Sequence, residues 1–173
     1  MIIDIRNYPS EFVVFTLGSL LVDRKTETVA WTSGDLANPG AFYSRLGRPI
    51  EPTQPHYTGK VVILVDEVTQ SQAEYTAMTF RYAPTARIVG STTAGADGNV
   101  SPIPLPGGFH TMITGLGVFY PDLRPTQRVG IVPDVGVVPT VEGIRAGRDE
   151  VLEEGLRQIL GPSIPDSELR KLY

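Results

Sequence analysis

Few side chains in this 173-residue sequence can do covalent chemistry, and Ser71 is the foremost of them. It stands in Thr69-Gln70-Ser71-Gln72-Ala73-Glu74, shortly after the apolar run Val61-Val62-Ile63-Leu64-Val65. A run this short, rich in Val and Ile and without alternation, reads as a strand buried on both faces. A serine on the loop leaving such a strand, at the start of a helix, lies where α/β sheets place their ligands. The N–H groups of Ser71 and Gln72 have no partner within the helix and carry partial positive charge, which suits a developing oxyanion. The same residues also spell a capping box, Ser71-x-x-Glu74, a common device worth about 1 kcal/mol. The residues by themselves leave both roles open, and the cap is the more ordinary one.

A serine nucleophile needs a general base at neutral pH. Asp66, Glu67 and Glu74 are close in sequence, but acids at a helix start ordinarily complement its dipole. His110 falls in a predicted hairpin and can reach Ser71 only through the fold. Asp97, followed by Gly98, reads first as a turn aspartate and second as a substitute acid–base group. There is no cysteine, which excludes disulfides, thiolate metal sites and a thiol nucleophile. His56 and His110 are not in a ligand-spaced motif, so neither a metal nor a cofactor is expected.

The elements that must position these residues can be read from periodicity and punctuation. Met1–Ile5 is a strand, and Ser10 is placed as the N-cap of a helix from about Glu11 to Leu21, with Phe12, Phe15 and Leu20 toward the core. A short strand is expected over 26–32, then a Pro- and Gly-rich loop from Asp35 to Tyr57. Strand 61–65 and a helix over 71–82 follow, the helix ending before Pro84. Arg87–Gly90 is a second buried strand. Val100–Leu105 and Phe109–Phe119 alternate about Pro106-Gly107-Gly108, a hairpin signature. Gly130–Val137 turns into a last strand, and Asp149–Leu160 is an amphipathic helix with Leu152, Leu156, Ile159 and Leu160 on one face. The order is α/β, parallel strand–helix units carrying an antiparallel hairpin.

Residues 1–160 are expected to form one core domain, and 161–173 a tail that is mobile or docks on a partner. A start directly on an apolar strand suggests a fragment or a reduced version of a longer protein. The net charge of −4 without a basic cluster gives no footprint for nucleic acid. The apolar stretch Phe12–Val22, broken by Thr16 and Ser19, is too short to span a membrane. Asp4 and Glu11 before it argue against a secretion signal.

Five segments, in order, resemble the C-terminal-processing, tail-specific and tricorn-core group of serine peptidases. Asp4-Ile5-Arg6-Asn7-Tyr8-Pro9 is similar to the group's first strand and turn, and Tyr57-Thr58-Gly59-Lys60 with the strand after it to its Y-x-G segment. Thr69–Glu74 resembles the nucleophile motif, Ile88-Val89-Gly90-Ser91-Thr92-Thr93-Ala94-Gly95 the V-G-x-x-T-x-G segment, and Gly130-Ile131-Val132-Pro133-Asp134 the G-x-x-P-D segment. The resemblance implies a Clp protease/crotonase-like fold and hydrolysis of a peptide or protein substrate through an acyl-enzyme at Ser71. It also implies that the Gln72 N–H serves the oxyanion hole, and that the protein works outside the cytoplasm.

The departures concern the base. Ala96 stands where one branch has its lysine, and Gln127 where another has a glutamate. That branch's histidine comes from sequence upstream of any segment matched here. The oxyanion-hole Gly-Gly is replaced by Ser10-Glu11. Two expectations result. In the first, the chain is a peptidase core completed by an upstream segment or a second copy; in the second, it is a degenerate core that binds a peptide or a small apolar ligand.

Overall fold

A computed structural model describes all residues from Met1 to Tyr173. Its elements run β1 (Ile2–Asp4), α1 (Val14–Leu21), β2 (Ala30–Gly34), β3 (Phe42–Leu46), β4 (Val61–Val65), α2 (Gln72–Phe80), β5 (Ala86–Gly90), β6 (Asn99–Pro104), β7 (His110–Phe119), β8 (Val135–Gly136), α3 (Val141–Arg145), α4 (Glu150–Leu160) and α5 (Asp166–Leu169). They form two sheets: a parallel one in the order β1-β4-β5-β8 and an antiparallel one in the order β3-β2-β7-β6. This is the expected class, parallel strand–helix units with an antiparallel hairpin.

Strand β4 is buried along its whole length, and its alternation sorts side chains into two cores. Val61, Ile63 and Val65 join the larger cluster with Met78 and Phe80 of α2 and with Leu21 of α1. Val62 and Leu64 face the other way, with Val89 and with Val151 of α4. Gly155 lets α4 lie on this second face; a Cβ there would come within 2.8 Å of the Leu64 side chain. Where β4 and β5 end, Gly90 has φ +136°, and a Cβ would stand 1.8 Å from the Val65 carbonyl oxygen. No residue with a side chain fits that crossing.

Several expectations are corrected. Helix α1 begins at Val14, with Val13 as N-cap and no side-chain cap, so Ser10 has no capping role. The three residues placed toward its core are not its buried face: Phe12 and Leu20 are exposed and Phe15 is only half-buried. Val14, Gly18 and Leu21 are buried instead, and a Cβ on Gly18 would stand at an ordinary 3.6 Å from Ile50 and Phe80. The segment 35–57 is not one long loop, because β3 pairs with β2 there. Asp35 fixes the turn between them, accepting from Ala37 N at 2.8 Å and Tyr43 OH at 2.7 Å. The final strand shrinks to β8.

On α4, Val151, Glu153 and Gly155 are buried, while Leu152, Leu156 and Ile159 are half-buried and Leu160 is exposed. Glu153 is tolerated inside because Arg148 and the Tyr173 hydroxyl both donate to it. Residues 161–173 therefore lie on the chain's own α4. Leu169 is fully buried, and Arg157 meets Asp166 at 2.7 Å.

Candidate active site

The site begins at the turn between β4 and α2. Asp66 ties the turn to itself, its Oδ1 accepting from Val68 N at 3.1 Å and from Thr69 N and Thr69 Oγ1, each at 2.9 Å. The chain then reaches Ser71 with φ 53° and ψ −120°. A serine at positive φ costs about 1–3 kcal/mol and persists only where its surroundings hold it there.

Those surroundings centre on Glu74, which is fully buried. Its Oε2 accepts from Ser71 N at 3.0 Å and Ala96 N at 2.9 Å; its Oε1 accepts from Gly95 N at 2.8 Å and from the Thr93 hydroxyl. Thr93 Oγ1 in turn accepts from Ile131 N at 2.7 Å. One carboxylate thus joins the start of α2 to the loop 93–96, and through it to the segment before β8. The capping-box arrangement of Ser71 and Glu74 is present, with the Ser71 side chain facing the Glu74 N–H, and its glutamate half is the one that meets full hydrogen-bond geometry. Ser71 also borders a cavity.

That cavity has a volume of about 400 Å³ and is lined by Ser71, Gln72, Tyr75, Asp97, Gly98, Asn99, Phe12, Phe15, Trp31, Arg48 and Val118. Its aromatic side is continuous. Phe12 lies 5.9 Å from Phe15 and 5.8 Å from Tyr75, and Trp31 lies 5.7 Å from Tyr75, ring centre to ring centre. Helix α2 delivers Gln72 and Tyr75, with Ser71 as its N-cap, while the loop before β6 delivers Asp97 and Gly98 and the start of β6 delivers Asn99. The Gln72 side chain donates to Glu11 O at 3.0 Å, which anchors the segment carrying Phe12.

Asp97 is only 3 % exposed, and its Oδ2 has no hydrogen-bond partner. Burial pushes its carboxyl up to about 7, the nearby charge of Glu74 adds to the rise, and Gly98 N–H and Thr126 act less strongly the other way. Tyr75 is pushed up to about 12, first by burial and then by Asp97. Asp97 and Ser71 thus line the same cavity.

Of the residues singled out from sequence, Ser71, Gln72 and Asp97 line one cavity, and Glu74 holds them in register from beneath. His110 is exposed at the start of β7, opposite Pro104, and does not line the cavity. Gln127 lies beside the Asp97 loop, so close that a Cβ on Gly98 would meet its Nε2 at 2.5 Å, but it faces a second cavity of about 650 Å³. Arg48, Trp31 and Tyr75 were not foreseen. They come from three separate elements, and nothing in their spacing connects them. No group of His, Asp or Glu side chains has the arrangement of a metal site. No helix is long and apolar enough to cross a membrane.

A parallel sheet with flanking helices, an attached antiparallel sheet and a cavity at the carboxyl end of the central strand define the class of the fold, a mixed α/β core with its candidate site at a strand–helix turn. The chain belongs to peptidase family S41, whose sequence profile matches residues 10–137. A protein from Parabacteroides merdae assigned as a peptidase shares the fold at a TM-score of 0.82 and 21 % identity, covering 95 % of this chain and 54 % of that one. Mature CPAF, solved with lactacystin, matches at a TM-score of 0.71 and 20 % identity, covering 91 % of this chain and 44 % of the other. The photosystem II D1 C-terminal processing protease matches at 0.57 and 24 % identity, covering 92 % and 38 %. This chain therefore spans about half the length of the solved structures it matches, or less. No curated protein matches it in sequence.

Proposed function

We propose that this chain is the catalytic core of a serine peptidase in which Ser71 is the nucleophile, the Gln72 N–H serves the oxyanion and Asp97 is the proton acceptor. The observation that carries the reading is the backbone of Ser71, held at positive φ at the edge of the cavity. A helix cap has no need of that strain, whereas a nucleophile presented to a substrate does. The degenerate ligand-binding reading is not favoured, since it leaves the strain without a purpose.

In the first step Ser71 Oγ attacks the scissile carbonyl carbon while its proton passes to the Asp97 carboxylate. The carbonyl oxygen gains the negative charge and is met by the N–H at the start of α2. The tetrahedral adduct then collapses, the C–N bond breaks, and the amine leaves with the proton that Asp97 returns. Water repeats the sequence on the acyl-enzyme, giving the second product and free Ser71. Glu74 is a positioning residue throughout, because both of its oxygens are engaged by backbone and threonine donors.

The substrate is a peptide or protein. The family resemblance of the sequence supports an extracytoplasmic setting, a core over residues 1–160 with an appended tail, and completion by a further segment or a second copy. The test is hydrolysis of a fluorescein-labelled casein by the full-length protein that carries this chain. Release should depend on Ser71 and vanish in Ser71→Ala; equal release by both proteins would overturn the proposal.

A further inference from the structure

The cavity is lined by one permanent cation, Arg48, which no ion pair of the protein engages. Arg48 is exposed at the rim of the cavity, with its guanidinium carbon 4.9 Å above the centre of the Phe15 ring. It takes part in none of the protein's ion pairs, which engage Arg6, Arg24, Lys25, Arg124, Arg148, Arg157 and Lys171. It has no side-chain hydrogen bond either. The one acid that shares its cavity, Asp97, favours the neutral form below pH 7. A guanidinium stacked on an aromatic face keeps its edge free, and that edge is suited to a planar carboxylate.

Resting on the peptidase reading above, we infer that Arg48 is a specificity residue: it binds a carboxylate of the substrate whose apolar part lies against the Phe12, Phe15, Tyr75 and Trp31 rings. The chemistry is shared by two sources, the free C-terminus of a peptide ending close to the scissile bond and the side chain of Asp or Glu next to it. Both would present an anion to Arg48 and hydrocarbon to the aromatic wall. A cationic side chain would meet like charge there, so Lys or Arg at the same position is disfavoured.

The test measures binding rather than turnover, so that its failure is distinct from failure of the proposed catalysis. The full-length Ser71→Ala protein is titrated by calorimetry with N-acetyl-Leu-Phe, N-acetyl-Leu-Phe-amide, N-acetyl-Leu-Glu-amide and N-acetyl-Leu-Gln-amide. At least one carboxylate peptide should bind about tenfold or more tightly than its neutral match, as expected for hydrogen bonds to a charged group. The free acid against its amide reports the C-terminal source, and Glu against Gln the side-chain source. In Ser71→Ala/Arg48→Met, which keeps the aliphatic contact with Phe15, the difference should disappear. Equal binding within both pairs, no binding by any of the peptides, or a difference that survives Arg48→Met would each overturn the inference. The comparison within pairs on the Arg48 protein decides the matter even where Arg48→Met does not fold.

Discussion

Replacing Asp97 with Asn separates the two properties assigned to that carboxyl, its cost to the fold and its part in the reaction. The rise from 3.8 to about 7 means that ionising Asp97 in the folded protein costs about 4 kcal/mol more than in the unfolded chain, at about 1.4 kcal/mol per pH unit. The direction follows from proton binding. Between those two values the folded state holds more protons than the unfolded one, so this group lowers stability as pH rises from about 4 to about 7. Below that window it has no effect, and above it the loss is complete. Asn is neutral at every pH, so Asp97→Asn should match the parent at pH 4 and exceed it by about 2–4 kcal/mol at pH 8. That is a gain of about 5–15 °C in Tm for a chain of this size. Catalysis should move the opposite way. The parent kcat/KM should rise with pH through about 7 as the base ionises, and Asp97→Asn should lose about a hundredfold or more in kcat together with that rise. Thermal melts at pH 4, 6 and 8 with a pH–rate profile provide the assay. A parallel stability profile in the two proteins would refute the burial argument. Activity within threefold of the parent, with the limb near 7 intact, would refute the role as base and place it in another segment of the protein.

Other consequences follow from the same geometry. Ser71→Gly should melt higher than Ser71→Ala by about 1 kcal/mol, because glycine accepts φ 53° without strain while both variants lose the nucleophile. Denaturant titration of the two reads the difference, and equal midpoints would mean that the turn is not strained. Glu74→Gln removes the charge that gathers the donors of Ser71, Thr93, Gly95 and Ala96, and puts an amide donor among them. It should cost about 3 kcal/mol or more by the same titration. Gly90→Ala should leave little folded protein by circular dichroism, since its Cβ would overlap the Val65 carbonyl; a stable variant would show that the crossing of β4 and β5 can relax.

What the sequence made legible was whatever depends on local pattern. The continuous burial of β4, the hairpin of β6 and β7, and α2 with its start beside Ser71 were all visible as periodicity and punctuation. Helix α4 was visible too; Asp149, read as its first residue, is its N-cap, and its side chain accepts from Leu152 N at 2.9 Å. The failures share a physical cause, namely that tertiary pairing outweighed local pattern. Phe12 has helical spacing but leaves α1 to stack on Tyr75, and β3 is a fully exposed edge strand with no buried alternation to announce it. Glu153 is polar by type and buried by partnership with Arg148 and Tyr173. At the site, Ser71 and Glu74 matched both a cap and a family motif in sequence, the cap being the more ordinary. The backbone conformation of Ser71, the four donors on Glu74 and the burial of Asp97, which support the proposed nucleophile, are tertiary features with no local signature.

The central claim is that Ser71 is an activated nucleophile, and covalent capture tests it most directly. The full-length protein is incubated with a fluorophosphonate at pH 8, and the adduct is located by peptide mass spectrometry. The account predicts a single phosphonylated residue, Ser71, formed more slowly at pH 6 and absent from Ser71→Ala. A folded protein left unmodified, or modified on a different residue, would contradict it.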